Sequence, residues 1–484
     1  MSNVRNKAIS AVVWSAIERL SGQLIRFVIG IILARLLTPA EFGLIGMLAV
    51  FLAVTQVFVN CGFGEALIQK SNATHQDESS VFYFNVVLGI LGTLVLYFAA
   101  PGIARFYGQP ALVGLVQLLA VVVVINSFGV VQTMLLTKRI DFKTQVKISI
   151  FSTVASGAVA VAMAMKGFGV ISLVAQYLIG DLLRVLLLWM LHGWRPSLSF
   201  SLASLRGMFP FGSRMFASGF LNAVFEEAYS VVIGKLYEPA TLGLFTRARQ
   251  LQQLPVGTLC GIVGRVSFPV FASIQQDKVL LKRGVKKALK GLAWINFPMM
   301  VGLAVTSRPL VLVLLTEKWV ACVPFVQLLC VGGMLFPLSL IHLSALSAQG
   351  RSDLFLRLEI IKKVMIVLSI ALTFRYGVEG LLVGSLVVNI LSYFLNGYYS
   401  VRLIHYAWKE QIHDLLPYLG ISAFMGACVW MVGLLPLGGD VSRLVVQVVT
   451  GFAVYSFCCW FWRVSSFVEG WTALSSRLPR WKAA

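Results

Sequence analysis

Fourteen long apolar stretches follow one another along the chain, with little between them. They run about 10–34, 42–64, 81–100, 111–135, 147–165, 168–191, 209–234, 242–272, 291–315, 322–348, 360–375, 378–401, 417–435 and 442–462. Most are near the ~20 residues that carry a helix across a bilayer. A helix satisfies its own backbone hydrogen bonds inside lipid. The pattern therefore predicts an all-α polytopic membrane protein with about fourteen transmembrane helices. Composition agrees. The chain is 58% hydrophobic and only 12% charged, with a mean hydropathy of +0.86, about half the charged share of a soluble protein. No soluble domain or low-complexity linker interrupts the series.

The net charge of +21 would suggest nucleic acid in a soluble protein. Here the positions of the charges give another account. With the first stretch leaving the cytoplasm and every stretch crossing, 25 of the 40 Lys and Arg fall in inside connections or in the stretch ends that adjoin them. Eight fall in or next to outside connections, and seven lie deeper within stretches. Such a bias is the positive-inside signature. It puts both termini in the cytoplasm and removes the case for a nucleic-acid partner. The opening "MSNVRNKAISAVVWSAIERL" has a basic start, an apolar run broken by Glu18 and Arg19, and no clear cleavage site. It reads as the first span, retained in the mature protein.

Two short stretches repeat. "LLTPAEFGL" (36–44) and "LYEPATLGL" (236–244) share Leu36/Leu236, Pro39/Pro239, Ala40/Ala240, Gly43/Gly243 and Leu44/Leu244 at an offset of 200 residues. Each is the outside turn after the first helix of a six-stretch block. Proline suits the start of a new helix, and glycine lets backbones approach closely. The repeat predicts two parallel six-helix bundles related by an axis along the membrane normal, with two further helices. The expected divisions are 1–206, 207–408 and 409–484.

Charge within a span is costly, at least ~2.5–3.5 kcal/mol per Arg at the bilayer centre. Seven lipid-facing Arg are therefore untenable, and most must face water, pair or snorkel to an interface. Ser15, Arg19, Gly22, Gln23, Arg26 and Gly30 share one helical face of the first stretch. Arg214, Ser218, Asn222 and Glu226 do so in the seventh, and Arg249, Gln253, Gly257 and Arg265 follow in roughly the same manner in the eighth. These stripes predict a hydrated, basic cavity between the bundles, suited to phosphate or pyrophosphate, which Arg binds bidentately. The expected cavity residues are Arg19, Gln23, Arg26, Arg214, Asn222, Arg249, Gln253 and Arg265. Glu226, Glu227 and Asp181 are candidates for ion coupling, while Glu226 and Glu227 could equally neutralise Arg19 or Arg26. Asp181 and Arg184, at i,i+3, favour a structural ion pair. The run "QDKVLLKRGVKKALK" (276–290) reads first as a topology anchor and second as a collector of anionic lipid. The seven cysteines lack a CxxC and sit in or beside apolar runs, as small buried hydrophobes do. The five histidines lack metal-ligand spacing, so no metal is expected.

No P-loop, GxSxG or HExxH is present, and the outside connections are too short to carry a catalytic domain. Neither an enzyme nor a cofactor is expected. "ARLLTPAEFGLIGMLAVFLAVTQVFVNCGFGEALIQ" (34–69) and "LGLFTRARQLQQLPVGTLCGIVGRVSFPVFASIQQD" (242–277) resemble bacterial polysaccharide transporters. The resemblance is to Wzx-type lipid-linked oligosaccharide flippases of the colanic- and teichuronic-acid exporter branch, in the superfamily of MATE exporters and the lipid II flippase MurJ. It implies two six-helix lobes plus two helices in the bacterial inner membrane. The implied substrate is an undecaprenyl-pyrophosphate-linked repeat unit, moved to the periplasmic leaflet by alternating access for surface polysaccharide synthesis. Arg on the first, seventh and eighth helices would hold it. The implied partners are that carrier, membrane lipid, and candidate polymerase and chain-length machinery. The rivals are a drug/cation antiporter, which would favour an acidic cavity, and a glycan polymerase or glycosyltransferase, which would need catalytic residues outside.

Overall fold

The computed structural model describes residues 21–464 and 467, apart from positions 61, 71 and 437. Its regular elements, among the described residues, are all helical. Helix α1 covers 21–36. It is followed by α2 (Pro39–Asn60), α3 (Phe63–Gln69), α4 (His75–Tyr107), α5 (Leu112–Ser127) and α6 (Val130–Lys138). Next come α7 (Phe142–Met165), α8 (Val170–Leu191), α9 (Leu202–Glu226), α10 (Ala228–Leu236) and α11 (Pro239–Ser273). The remainder are α12 (Lys278–Val305), α13 (Ser307–Leu314), α14 (Val323–Ala348), α15 (Ser352–Thr373), α16 (Gly377–Ile404), α17 (Trp408–Gly433) and α18 (Asp440–Phe461).

Among the described residues, helices occupy each of the fourteen apolar stretches. Among the described residues, ten helical segments are long and apolar enough to cross a membrane, and α5 with α6, bent by 42°, makes an eleventh. One of the ten, Asp353–Ile404, spans 52 residues and contains both α15 and α16. The first stretch is described only from residue 21. The seventh, α9 with α10, falls outside the ten because Arg206, Arg214 and Glu226 dilute its apolar content. Phe98, Met190 and Phe452 are 75–78% exposed, as large apolar side chains can be where lipid is the solvent.

Local chemistry explains where helices start and bend. Thr74 and Asp77 form a reciprocal capping box at α4. Asp141, Ser201 and Asp277 accept first-turn amides of α7, α9 and α12. All four caps lie in connections that the charge bias assigns to the cytoplasm, where the chain is polar enough to supply them. In α14, Pro337 cannot donate to the Gly333 carbonyl four residues back. Asn296 of α12 replaces that donor: its Nδ2 reaches the Gly333 oxygen at 3.1 Å and the Met334 oxygen at 2.8 Å.

The chain divides into two compact units, 1–246 and 247–484. In the first, Ile29, Leu33 and Leu37 of α1 and the turn after it pack with Ala160 of α7 and Leu173 of α8. Gly157 gives Ile29 room to approach, since a Cβ there would strike its side chain. A second cluster joins α3, α4, α6 and α9 through Phe63, Leu67, Phe82, Val131, Leu135 and Leu205. Helix α9 opens the second sequence repeat, yet it packs along α2, with Phe58 edge-on to Phe216 and Phe220. Gly62, at φ 68°, brings the chain against the Gly212 backbone, a conformation that glycine adopts readily.

In the second unit, α11, α12, α14, α16, α17 and α18 share one core, with Phe271, Leu281, Leu289, Leu338, Tyr406 and Cys459 at its centre. An ionic ladder joins α12 to α17. Lys282 and Lys286 reach Glu410 at 2.7 and 3.2 Å, and Lys286 and Lys290 reach Asp414 at 3.0 and 2.9 Å. Tyr406 Oη donates to Asp414 at 2.8 Å. The i,i+4 spacing on each helix brings three ammoniums onto two carboxylates. Asp414 is buried, and its side chain is only 4% exposed. Asp414→Ala should cost about 2–4 kcal/mol, because three donors lose a charged acceptor. Thermal melting in detergent reads this, with Asp414→Asn intermediate; an unchanged melting temperature would remove the ladder's structural role.

Candidate substrate-translocation site

The two repeated turns meet. A Cβ on Gly43 would overlap the Pro239 carbonyl oxygen, and a Cβ on Gly243 would overlap that of Pro39. The contact is reciprocal, so a local twofold relates the two copies. In the first copy Thr38 and Glu41 form a capping box around Pro39: the Thr38 amide donates to Glu41 Oε2 at 2.7 Å and the Glu41 amide to Thr38 Oγ1 at 3.4 Å. In the second copy Glu238 occupies the position of Thr38, and the turn closes through the Thr241 amide on the Glu238 carbonyl at 3.0 Å.

The residues expected to line a cavity fall on three helices. Arg19 lies outside the described residues. On α1, Gln23 is half-buried and Arg26 exposed, and the Arg26 guanidinium lies back over Gly22. On α9, Arg214, Asn222 and Glu226 are exposed. Glu227, at the break before α10, is half-buried and accepts Ser230 Oγ at 2.8 Å. Helix α1 packs on α7 and α8 whereas α9 packs on α2, α3 and α4, so different partners hold these two stripes.

On α11, Arg249 is half-buried, and Gln253, Gly257, Gly264 and Arg265 are exposed. A Cβ at Gly264 would meet nothing within 4 Å, and one at Gly257 only the tip of Gln253 at 3.8 Å. Packing therefore does not require either glycine. The glycines lie between Arg249 and Arg265 both along the helix and around it, the two Arg being about 160° apart on a straight helix, so bare backbone separates them and a bulky polar ligand can lie close to the helix there. The opposite side of α11 is buried through Leu251, Val256, Leu259 and Val263. Arg247, only two residues from Arg249, is buried and stands 5.8 Å from the Trp319 ring centroid. Two residues turn a helix by about 200°, which separates a structural Arg from one on the open face.

Asp181 meets Arg184 at 3.3 Å, and Arg184 Nη2 donates to Asn126 Oδ1 at 2.6 Å. Asn126 Nδ2 in turn reaches Gln56 Oε1 at 3.4 Å. The pair is thus tied to α5 and α2, as a structural role requires. We expect Asp181→Asn and Arg184→Gln each to cost about 1–2 kcal/mol, and the double variant to recover most of the loss. Melting curves of the three proteins test this; a double variant no more stable than the singles contradicts it.

Two assemblies escape the sequence reading. The ladder of Lys282, Lys286 and Lys290 accounts for half of the basic run, leaving Lys278, Arg283 and Lys287 on its exposed face. The second is buried. His342 of α14 makes a 2.8 Å hydrogen bond through Nδ1 to Ser400 Oγ of α16, and Asn396 Nδ2 donates to Ser339 Oγ at 2.6 Å. A sequence signal existed: polar residues three or four apart in each of two apolar stretches, Ser339/His342 and Asn396/Ser400.

The model of a polysaccharide biosynthesis protein family matches residues 32–324. The teichuronic acid biosynthesis protein TuaB of Bacillus subtilis strain 168 is 30% identical, over 73% of this chain and 74% of that protein. The lipopolysaccharide biosynthesis protein WzxC of Escherichia coli K12 is 27% identical over 88% of each. The succinoglycan biosynthesis transport protein ExoT of Rhizobium meliloti 1021 is 25% identical over 92% and 90%. Among solved structures, the lipid II flippase MurJ in an inward closed conformation superposes with a TM-score of 0.77 at 15% identity, over 93% of this chain and 99% of that one. An inward-facing multidrug MATE transporter gives 0.64 at 17%, over 81% and 98%. These two likenesses show a MurJ- and MATE-like fold. The family match covers more than half of the chain, and the relatives extend over most of it. The chain belongs to the polysaccharide biosynthesis protein family.

Proposed function

We propose that the protein is a flippase that carries a lipid-linked oligosaccharide repeat unit from the cytoplasmic to the periplasmic leaflet of the bacterial inner membrane. The carrier is undecaprenyl pyrophosphate, and both termini are cytoplasmic, as the charge bias requires. Lobes 1–206 and 207–408 expose the substrate to each side in turn. The observation that carries the reading is the open face of α11, where Arg249, Gln253 and Arg265 flank bare glycine backbone. Guanidiniums there suit a diphosphate, and the absence of bulk suits attached sugars. Within the first unit, Arg26, Arg214 and Asn222 on α1 and α9 offer the same donor chemistry, and Glu226 and Glu227 are candidates for ion coupling. The related polysaccharide biosynthesis proteins support this class of substrate. The MATE-like fold also admits a drug/cation antiporter, but the α11 face is basic where a cation site would be acidic. A polysaccharide polymerase and chain-length machinery would take the product outside. The test in cells is a deletion strain. Lipid-linked repeat units should accumulate facing the cytoplasm and clear when the gene returns; no accumulation contradicts the reading.

A further inference from the structure

We propose that His342 is a proton-binding site through which a proton gradient drives translocation, a coupling role that rests on the flippase reading above.

His342 is 1% exposed, inside a span. Ionisable groups are rarely kept there without a task, because charging them in a dry interior is costly. Its Nδ1 is bonded to Ser400 Oγ, and its Nε2 has no hydrogen-bond partner among the described residues. With Nδ1–H assigned as the donor, Nε2 presents a free lone pair. A proton adds there to give imidazolium and leaves from the same atom, so no other reactant is needed. Asn396 Oδ1, on the same pair of helices, is likewise unpartnered and Asn396 is 2% exposed.

Further polar groups lie beyond the ring that packs on His342. Tyr393 lies edge-on, with ring centroids 5.4 Å apart. Its hydroxyl donates to Gln411 Oε1 at 3.3 Å, and Gln411 Nε2 donates to the Tyr406 carbonyl at 2.8 Å. Tyr406 Oη then reaches Asp414, which is held by Lys286 and Lys290, themselves about 30% exposed. Polar groups therefore lie between the buried base and the ionic ladder, although the first step is a ring contact and the Gln411 step ends on the Tyr406 backbone; the topology puts that ladder at the cytoplasmic end of the unit.

The groups that packed helices turn toward α14 near His342 are Tyr393, Asn396 and Ser400 from α16. Asn296 from α12 reaches higher up, and α15 contributes Leu354 and Leu358. Tyr393 is the titratable one, and among the described residues no charged side chain acts on His342 directly. An imidazolium there would have no counter-ion. It would be accommodated by shifting α14 against α16 and Tyr393. Pro337, inside α14 and five residues before His342, is where the helix can bend. Proton binding at Nε2 would therefore change a helix angle rather than a rotamer alone.

The experiment uses the full chain in vesicles loaded with lipid-linked oligosaccharide, with flipping measured with and without an imposed pH gradient. The readout is the ratio of the two rates. In the wild type it should rise by up to about tenfold per pH unit. In His342→Gln it should fall to one, whatever the gradient-free rate. A ratio equal to wild type in His342→Gln overturns the proposal. Where that variant yields no rate, Ser400→Ala carries the test. It retains the base but frees Nδ1, so the pH midpoint of gradient-driven flipping should move, and an unmoved midpoint overturns the proposal. A wild type that flips but ignores the gradient overturns the coupling role alone. A wild type that does not flip under any gradient overturns the flippase reading beneath it.

Discussion

Alanine at Gly43 or at Gly243 should be among the most damaging single-methyl additions in the protein. Each places a Cβ on a proline carbonyl of the other repeat, and neither backbone can yield without moving the start of a long helix. Overpacking of this kind costs about 1–3 kcal/mol, occasionally more. Because both clashes act across one contact, a single displacement relieves both. The double variant should therefore lose less than the sum of the singles. Gly102→Ala and Gly114→Ala are the controls, since a Cβ at either meets nothing within 4 Å. Thermal melting of the detergent-purified proteins, with transport measured alongside, gives the comparison. Controls that fall as far as Gly43→Ala would show that the contact between the turns has no special weight.

The second large effect concerns the face of α11. Arg249→Ala and Arg265→Ala each remove a charge-assisted contact worth about 1.5–3 kcal/mol. That converts to a loss of roughly 10–100-fold in transport for each. Lysine should restore only part, because an ammonium cannot grip a diphosphate with a planar fork. Gly264→Leu should act differently. It leaves every charge in place and fills open space, so melting should be unchanged while transport falls about tenfold. A Gly264→Leu protein that transports as well as wild type would mean that no ligand approaches this backbone.

Much of the fold is legible in the sequence because lipid restricts the choices. Fourteen apolar stretches admit little but helices, and the PxxxG repeat marks equivalent turns 200 residues apart. The i,i+3 spacing of Asp181 and Arg184 correctly announces an ion pair. What is illegible depends on neighbours distant in sequence. The lysines of the basic run look like a topology anchor until Glu410 and Asp414, over 100 residues later, are seen to hold three of them. Arg247 and Arg249 look alike in the sequence, and only packing against Trp319 distinguishes them. The reciprocal contact of the two turns needs a twofold that no local pattern encodes. His342 is hidden for a related reason: its partners Ser400 and Tyr393 belong to another span, 58 and 51 positions away. The stripes on α1, α9 and α11 are legible as faces, whereas the ligand they serve follows from chemistry and kinship.

The central claim is movement of a lipid-linked oligosaccharide by this chain alone. The direct measurement is translocation of a fluorescent undecaprenyl-pyrophosphate oligosaccharide across vesicles holding only the purified protein, read as loss of accessibility to an external quencher or glycosidase. The account predicts translocation in wild-type vesicles, reduced roughly 10–100-fold by Arg249→Ala, with little movement of undecaprenyl phosphate lacking sugars. Correctly folded wild-type protein that leaves the oligosaccharide in its original leaflet, or equal rates in wild type and in the Arg249→Ala, Arg265→Ala double variant, would contradict it.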